Sequence, residues 1–336
     1  MKAILYGIGE YLNSHKHLLP ENLEIIAYGD SSEEKSTRAS GKMLDGKQIV
    51  SPSEIEKMEF DKLIICTDYG LSNRIYKILK EYDIPYDKFM FLCREEPVLF
   101  PFNTDGKWNY RILTDKSIES HFGDITICEK GGTDHDTVVE IFGENTYNII
   151  ILPETVVIDM GMNIGAASLY FAANKNVVRV YGFEPFPDTY GRACENIAMN
   201  PDWIRDKIST YNIAVTDKEG EQKVDVETEN TGWRNIFSTG STASSVQIKC
   251  RAAKDVVQEI LDREEGERYV LKIDTEGSEF LIFSSLAETD IFHNIDAIVM
   301  EYHASPAPLI QVLEQYGFRY SIKGKGRIGV ITAFKQ

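Results

Sequence analysis

Several things are scarce in this 336-residue chain, and each scarcity removes a class of function. No run of apolar residues approaches the roughly 20 that a membrane-spanning helix needs, so integral membrane contact is not expected. Basic residues are outnumbered, 36 Lys and Arg against 53 Asp and Glu, for a formal charge of −17. Nucleic acid and anionic membrane surfaces are polyanions and are therefore not expected as main partners. The five cysteines (Cys66, Cys93, Cys128, Cys194 and Cys250) are scattered, odd in number and never in C-x-x-C spacing. That pattern points away from a zinc site or a disulfide framework and towards buried thiols in a reducing compartment. Met1 to Leu12 holds a short strand and a glycine turn rather than a basic region followed by a long apolar one, so no secretory leader is expected. A cytoplasmic protein is the expectation.

What is present is enough apolar residue, 43%, for ordinary cores, in a length that suits two domains. The most informative stretch runs from Val156 to Pro187. Val156, Val157 and Ile158 are a short β-branched apolar run that suits a strand buried on both faces of a parallel sheet. Gly161, Asn163 and Gly165 predict a tight turn, Ile164 to Ala173 a helix, and Val177 to Phe183 a second strand stopping at Glu184.

A βαβ unit with a glycine turn could hold a dinucleotide, an isolated phosphate or S-adenosyl-L-methionine. In the dinucleotide fingerprint G-x-G-x-x-G the second glycine is bare so that backbone can touch pyrophosphate. Here that position is Asn163, while Asp159 and Glu184 are expected to line the cleft with negative charge that repels phosphate. S-adenosylmethionine has a sulfonium, an ammonium and a ribose diol but no phosphate, and it suits these groups. Glu184 at a strand tip is placed to accept both ribose hydroxyls, and Asn212 to Ala214, ending a strand expected at Ile208 to Val215, should lie beside the adenine.

The flanking chain reads as follows. Ala3 to Tyr6, Leu23 to Tyr28 and Leu63 to Cys66 are strands, with helices at Glu10 to His17 and Leu71 to Tyr82, which makes a small Rossmann-like α/β domain over 1–95. Its GIGEYL turn lacks the third glycine of the dinucleotide pattern, so ligand binding and plain scaffold both stay open. Residues 96–132 read as a linking segment whose aromatics Phe102, Trp108, Tyr110 and Phe122 either roof a pocket or pack a core. Residues 133–336 form the second domain. Asn230 to Ser245 reads as a loop, and alternating strands and helices lead to a hairpin at Phe318 to Ile322 and Ile328 to Phe334.

Ligands in doubly wound sheets sit beyond the carboxyl ends of the strands. One strand ends Lys272-Ile273-Asp274-Thr275-Glu276, and its expected neighbour ends Glu301-Tyr302-His303. A lysine in a central strand is costly to bury unpaired, so Lys272 should meet a carboxylate. Methyl transfer from a sulfonium to an alcohol requires loss of the hydroxyl proton. His303 suits that base role by its pKa, near 6.5 unshifted, with Asp274 or Glu301 orienting it and Glu276 nearby. A divalent metal on Asp274, Glu276 and Glu301 is the lesser alternative, and no metal is assigned.

Three blocks, VIDMGMNIG at 157–165, FEPFPDTYGRACENIAMN at 183–200 and LKIDTEGSEF at 271–280, with MEYH at 300–303, together resemble the FkbM-type S-adenosylmethionine-dependent methyltransferases. Met162 stands where that family has a small residue. The resemblance implies a class I methyltransferase fold, a seven-stranded Rossmann-like sheet closed by a C-terminal antiparallel hairpin. It also implies S-adenosyl-L-methionine as cofactor and O-methylation of a small-molecule or glycan substrate, a nucleotide-sugar included, in polysaccharide biosynthesis. Residues 1–95 resemble the small domains attached to bacterial surface-sugar enzymes, which implies docking or nucleotide-sugar binding. A nucleotide-sugar sensor on a methyltransferase fold and a natural-product methyltransferase are the rival readings. The absence of an N/D-P-P-Y/F motif speaks against amine methylation. A homo-oligomer is one possible state, and the sequence does not fix the oligomeric state.

Overall fold

Short β-branched runs alternating with helices produce parallel-rich sheets in both halves of the chain. The computed structural model describes residues 1–19, 23–30, 43–67, 75, 79, 82, 84–85, 88–92, 97–99, 108–113, 117–130, 132–225, 245–264 and 267–335. Two compact units result: Met1–Gly123 with Glu129–Val139, and Asp124–Cys128 with Glu140–Gln336. The expected helix over Leu71 to Tyr82 falls mostly outside the described residues, as do Phe102 and nearly all of the Asn230 to Ser245 loop.

In the first unit β1 (Lys2–Tyr6), β2 (Glu24–Gly29), β3 (Met43–Leu44), β4 (Lys47–Val50), β5 (Lys62–Ile65), β6 (Phe89–Leu92) and β7 (Pro97–Leu99) form one sheet in the order β3-β4-β2-β1-β5-β6-β7. Side chains on a strand alternate between faces, and both faces of β1 are covered. Ile4 and Tyr6 pack with Ala27, Leu63 and Ile65, whereas Ala3 and Leu5 pack with Tyr28, Ile64 and Cys66. A further hairpin pairs β8 (Trp108–Ile112) with β9 (Ile118–Phe122). The next strand, β10, is Ile125–Glu129.

The second unit is built on β11 (Thr155–Met160), all six residues of which are buried. It pairs in parallel with β12 (Val177–Phe183) on one side and, on the other, with the strand Arg268–Ile273. The predicted third strand is in fact two pieces, β13 (Ile208–Tyr211) in this sheet and β14 (Ala214–Thr216) in a separate three-stranded sheet with β15 (Gly220–Asp225) and β16 (Ser245–Ala252). The break falls at Asn212, whose amide donates to the carbonyls of Glu184 (2.8 Å) and Pro185 (3.0 Å) and pulls the chain out of the ladder.

With β17 (Arg268–Ile273), β18 (Ala297–Tyr302), β19 (Phe318–Lys325) and β20 (Ile328–Lys335), the main sheet runs β13-β12-β11-β17-β18-β20-β19. The first five strands are parallel, and β20 enters antiparallel to β18. One face carries a cluster in which Ile158, Leu271 and Ile298 from the sheet pack with Val257 and Ile260 of the helix Ala253–Arg263 and with Ile282 and Leu286 of the helix Glu279–Ala287. This core holds the carboxyl ends of β11, β12, β17 and β18 at one edge, where the residues of chemical interest gather.

Candidate functional site

β11 ends at Met160, and the chain then turns sharply. Gly161 (φ +87°), Asn163 (φ 50°) and Gly165 (φ +86°) all adopt the left-handed conformation before the helix Ala166–Ala172 begins. At Gly161 a side chain is also sterically forbidden, because a Cβ would lie 1.7 Å from the Asp274 carbonyl oxygen. Asparagine is among the residues that best tolerate positive φ. Met162 is buried opposite Gly182, where a Cβ would sit 2.4 Å from the Met162 sulfur, so the missing side chain at 182 makes the room that Met162 fills.

Glu184 closes the turn from β12. Its Oε2 accepts the Asn163 backbone N–H and its Oε1 accepts that of Phe186, each at 3.0 Å. Burial pushes the carboxyl pKa up to about 7 despite these two bonds. The side chain therefore organises the loop as well as facing the cleft.

Beneath the turn lies a buried ion pair. Lys272 Nζ is 3.0 Å from Asp159 Oδ1 and 3.9 Å from Asp274 Oδ2, and it donates to the Gly161 carbonyl at 2.5 Å. Ser168 Oγ donates to the other Asp159 oxygen at 2.6 Å, and Tyr147 Oη to Asp274 Oδ2 at 2.9 Å. Burial by itself would lower the lysine pKa, but the carboxylates of Asp159 and Asp274 outweigh it and raise it. Lys272 thus meets two carboxylates. Asp159 is wholly buried, beneath the cleft rather than lining it, because parallel register sets it beside Lys272.

On the other side His303 follows β18 and is hydrogen-bonded through Nδ1 to Glu279 Oε1 at 3.1 Å. Its Nε2 lies 3.2 Å from Glu276 Oε2 and 3.9 Å from Glu301 Oε1. Burial opposes the imidazolium, yet the Glu279 hydrogen bond and the charges of Glu276, Glu279 and Asp274 together raise its pKa to about 9. Burial and then the neighbouring Asp274 carboxylate push both Glu276 and Glu301 up to about 8. The orienting partner of His303 is therefore Glu279, in place of the Asp274 or Glu301 expected from the sequence. Glu279 also accepts the backbone N–H groups of Thr275 (3.2 Å) and Gly277 (3.0 Å), which fixes the turn carrying Glu276. An acidic residue opening a helix straight after an acidic, glycine-containing turn was the signal available.

Between these two groups opens a cleft of about 580 Å³. Glu184, Ile213, Ala214 and Val215 line one part of it, Asp274 and Glu276 another, with Gly161 and Asn163 at the turn. Asn212 and Gly165, expected at the cofactor, are not among its lining residues. The Asn212 amide is committed to backbone carbonyls, and Gly165 packs towards Ala193.

A sheet of this strand order, with one antiparallel strand inserted beside β18 and a cleft at the carboxyl ends of its parallel strands, is the class I methyltransferase fold. Residues 159–320 match the family model described as the methyltransferase FkbM domain, so the resemblance carried by the three sequence blocks is borne out and supports a methyltransferase. Residues 1–90 match the model described as C2185-like, N-terminal. The chain is 33% identical over 86 residues to the AMB antimetabolite synthetase AmbE of Pseudomonas aeruginosa, a stretch that covers 25% of this chain and 4% of that protein. It thus spans a small fraction of that relative's length. Among solved structures it is similar to the methyltransferase FkbM of Methylobacillus flagellatus, at 12% identity, TM-score 0.41, covering 99% of this chain and 89% of that one. It is similar also to the precorrin-6y C5,15-methyltransferase of Geobacter metallireducens, at 12% identity, TM-score 0.35, covering 59% and 88%. Among the described residues no helix is long and apolar enough to cross a membrane.

Proposed function

We propose that this chain is an S-adenosylmethionine-dependent O-methyltransferase acting on a hydroxyl of a sugar or glycan precursor. The observation that carries this reading is one cleft holding a glycine-turn and Glu184 wall in the same space as the Asp274 and Glu276 carboxylates beside His303. The lining fits the methyl donor, since Glu184, Asp274 and Glu276 suit an ammonium, a sulfonium and a ribose diol. Ile213, Ala214 and Val215 supply an apolar wall for an adenine ring. When bound, S-adenosylmethionine supplies an electrophilic methyl group.

The chain's own residues do the rest. Each Glu184 oxygen spends one lone pair on a backbone N–H and keeps another for a ribose hydroxyl. Glu279 fixes the imidazole through Nδ1, which leaves Nε2 of His303 to take the acceptor's proton within its carboxylate cluster. The choice of a sugar hydroxyl is supported by the FkbM resemblance alone.

Calorimetry with S-adenosylmethionine, S-adenosylhomocysteine and NAD tests the donor. Saturable binding of the first two and none of NAD is expected, and NAD binding alone would overturn the reading. A panel of nucleotide-sugars and glycans, assayed for methyl transfer, then tests the acceptor class.

The same calorimetry yields a pH prediction. Only the ionised carboxylate of Glu184 accepts from both ribose hydroxyls, so with a pKa of about 7 the affinity for S-adenosylmethionine should rise as pH increases through 7. Glu184→Gln should flatten that rise and weaken binding by about tenfold to a hundredfold, the equivalent of losing a hydrogen bond of roughly 1.5–3 kcal/mol to a charged group. Equal affinities for parent and variant across pH 6–8 would remove Glu184 from the donor site.

A further inference from the structure

Two adjacent parallel strands deliver three metal-type donors to one point. Ile273, the last residue of β17, is paired in register with Met300 of β18, so Asp274 and Glu276 leave one strand beside the end of the strand that carries His303. Asp274, Glu276 and His303 each present one donor atom, all within 4.8 Å of one another. Tyr147 and Lys272 both contact Asp274 at Oδ2, which leaves Oδ1 for another partner. Glu276 is held at φ 52°, an unfavourable conformation for a non-glycine residue, by a turn whose flanking N–H groups are fixed on Glu279.

Two further features point to a cation. His303 is bonded at Nδ1 to a wholly buried carboxylate, Glu279, and presents Nε2 to the cluster, which is how metal-ligating histidines are oriented and kept basic. Charge points the same way. Asp274, Glu276, Glu279 and Glu301 gather around the His303 imidazole, while the Lys272 ammonium lies closer to Asp159 than to Asp274.

We propose that Asp274, Glu276 and His303 bind one divalent cation through a carboxylate oxygen of each acid and Nε2 of the histidine. Two oxygens and one imidazole nitrogen form a borderline donor set that favours Mn²⁺ or Zn²⁺ over Ca²⁺ and Mg²⁺. Three protein ligands leave coordination positions open, as in catalytic rather than structural sites. Asp274 and Glu276 line the cleft, so those positions are available to an acceptor hydroxyl. The ion holds that oxygen and acidifies it. With Nε2 on the ion, His303 serves as a ligand in place of the direct base described above, and the hydroxyl proton passes to bulk water while the O–H electron pair stays on the ion-bound oxygen. This role in acceptor activation rests on the methyltransferase reading, whereas the binding of the ion does not.

The test uses the full chain, stripped with EDTA and titrated with Mn²⁺, with free Mn²⁺ followed by electron paramagnetic resonance. One saturable site per chain is expected, with Zn²⁺ displacing the Mn²⁺. Glu276→Gln and His303→Gln should each weaken it by about 100-fold, and Glu279→Gln, which disturbs the ring and the turn carrying Glu276 but removes no ligand, by roughly tenfold. Metal-free melting of each variant checks the fold, and a variant that melts early is replaced by Glu276→Ser or His303→Asn. Absence of saturable Mn²⁺ binding up to millimolar concentration overturns the proposal, as does a site that survives both ligand replacements. S-adenosylmethionine binding without Mn²⁺ binding would defeat the ion and leave the methyltransferase reading intact. Mn²⁺ binding without S-adenosylmethionine binding would do the reverse.

Discussion

Gly161→Ala should destabilise the C-terminal unit by on the order of 3–5 kcal/mol and abolish donor binding even where the protein remains folded. The added Cβ would lie 1.7 Å from the Asp274 carbonyl oxygen, and neither side is free to retreat. Gly161 N–H is bonded to the Phe183 carbonyl at 3.0 Å, Asp274 N–H to the Met160 carbonyl at 3.0 Å, and Lys272 holds the Gly161 carbonyl from below. Relief of the clash breaks some of these bonds, each contributing about 0.5–1.5 kcal/mol, and the left-handed φ of +87° adds strain for any residue with a side chain. For a unit of roughly 200 residues the melting temperature should fall by about 6–20 °C. Melting curves paired with S-adenosylmethionine calorimetry make the measurement. An alanine variant with parental melting and parental affinity would show that the turn does not shape the site.

Turnover of His303→Gln should fall by roughly 10²- to 10⁴-fold, the range for loss of positioned proton transfer, with donor affinity nearly unchanged. Glutamine is the informative replacement because its amide can still donate to Glu279, so that the buried carboxylate keeps a partner. With the histidine pKa raised to about 9, the base form accumulates as pH rises, and parental activity should climb through pH 9. An unshifted imidazole would have put this rise near 6.5; the Glu279 hydrogen bond and the charges of Glu276, Glu279 and Asp274 move it upward. A climb that persists unchanged in the variant, with near-normal turnover, would refute the base role. If the cation carries the chemistry, EDTA should abolish activity, whereas direct base catalysis by His303 survives chelation.

Much of the architecture was legible because its signals are local. Unbroken apolar runs such as Val156 to Ile158 say that both faces of a strand are covered, and left-handed turns announce themselves through Gly161 and Gly165. Alternation of such strands with helical spacing, closed by a hairpin around Gly324 and Gly326, matched the seven-stranded class I sheet that the family resemblance implied. The carboxylates and His303 at the tips of β17 and β18 could be named because strand ends are where doubly wound folds place ligands.

What tertiary structure decided was the register across the sheet and the side-chain partners that follow from it. Asp159 reads as a cleft-lining charge in a linear sequence, and only the register of β11 against β17 buries it against Lys272, whose ammonium reaches a carbonyl 111 positions away. The Ile208 to Val215 run has the apolar content of a single strand. It divides because the Asn212 amide finds two carbonyls that the β12 tip presents in space. Glu279 carries no sequence signal that ties it to His303, 24 positions away, and folding set it against the ring and with it raised the pKa of the group on which the chemistry turns. Periodicity reports which face of its own element a side chain occupies. Its charge state and its partner depend on low-dielectric contacts between segments remote in the chain, and these exist only once the sheet has been assembled.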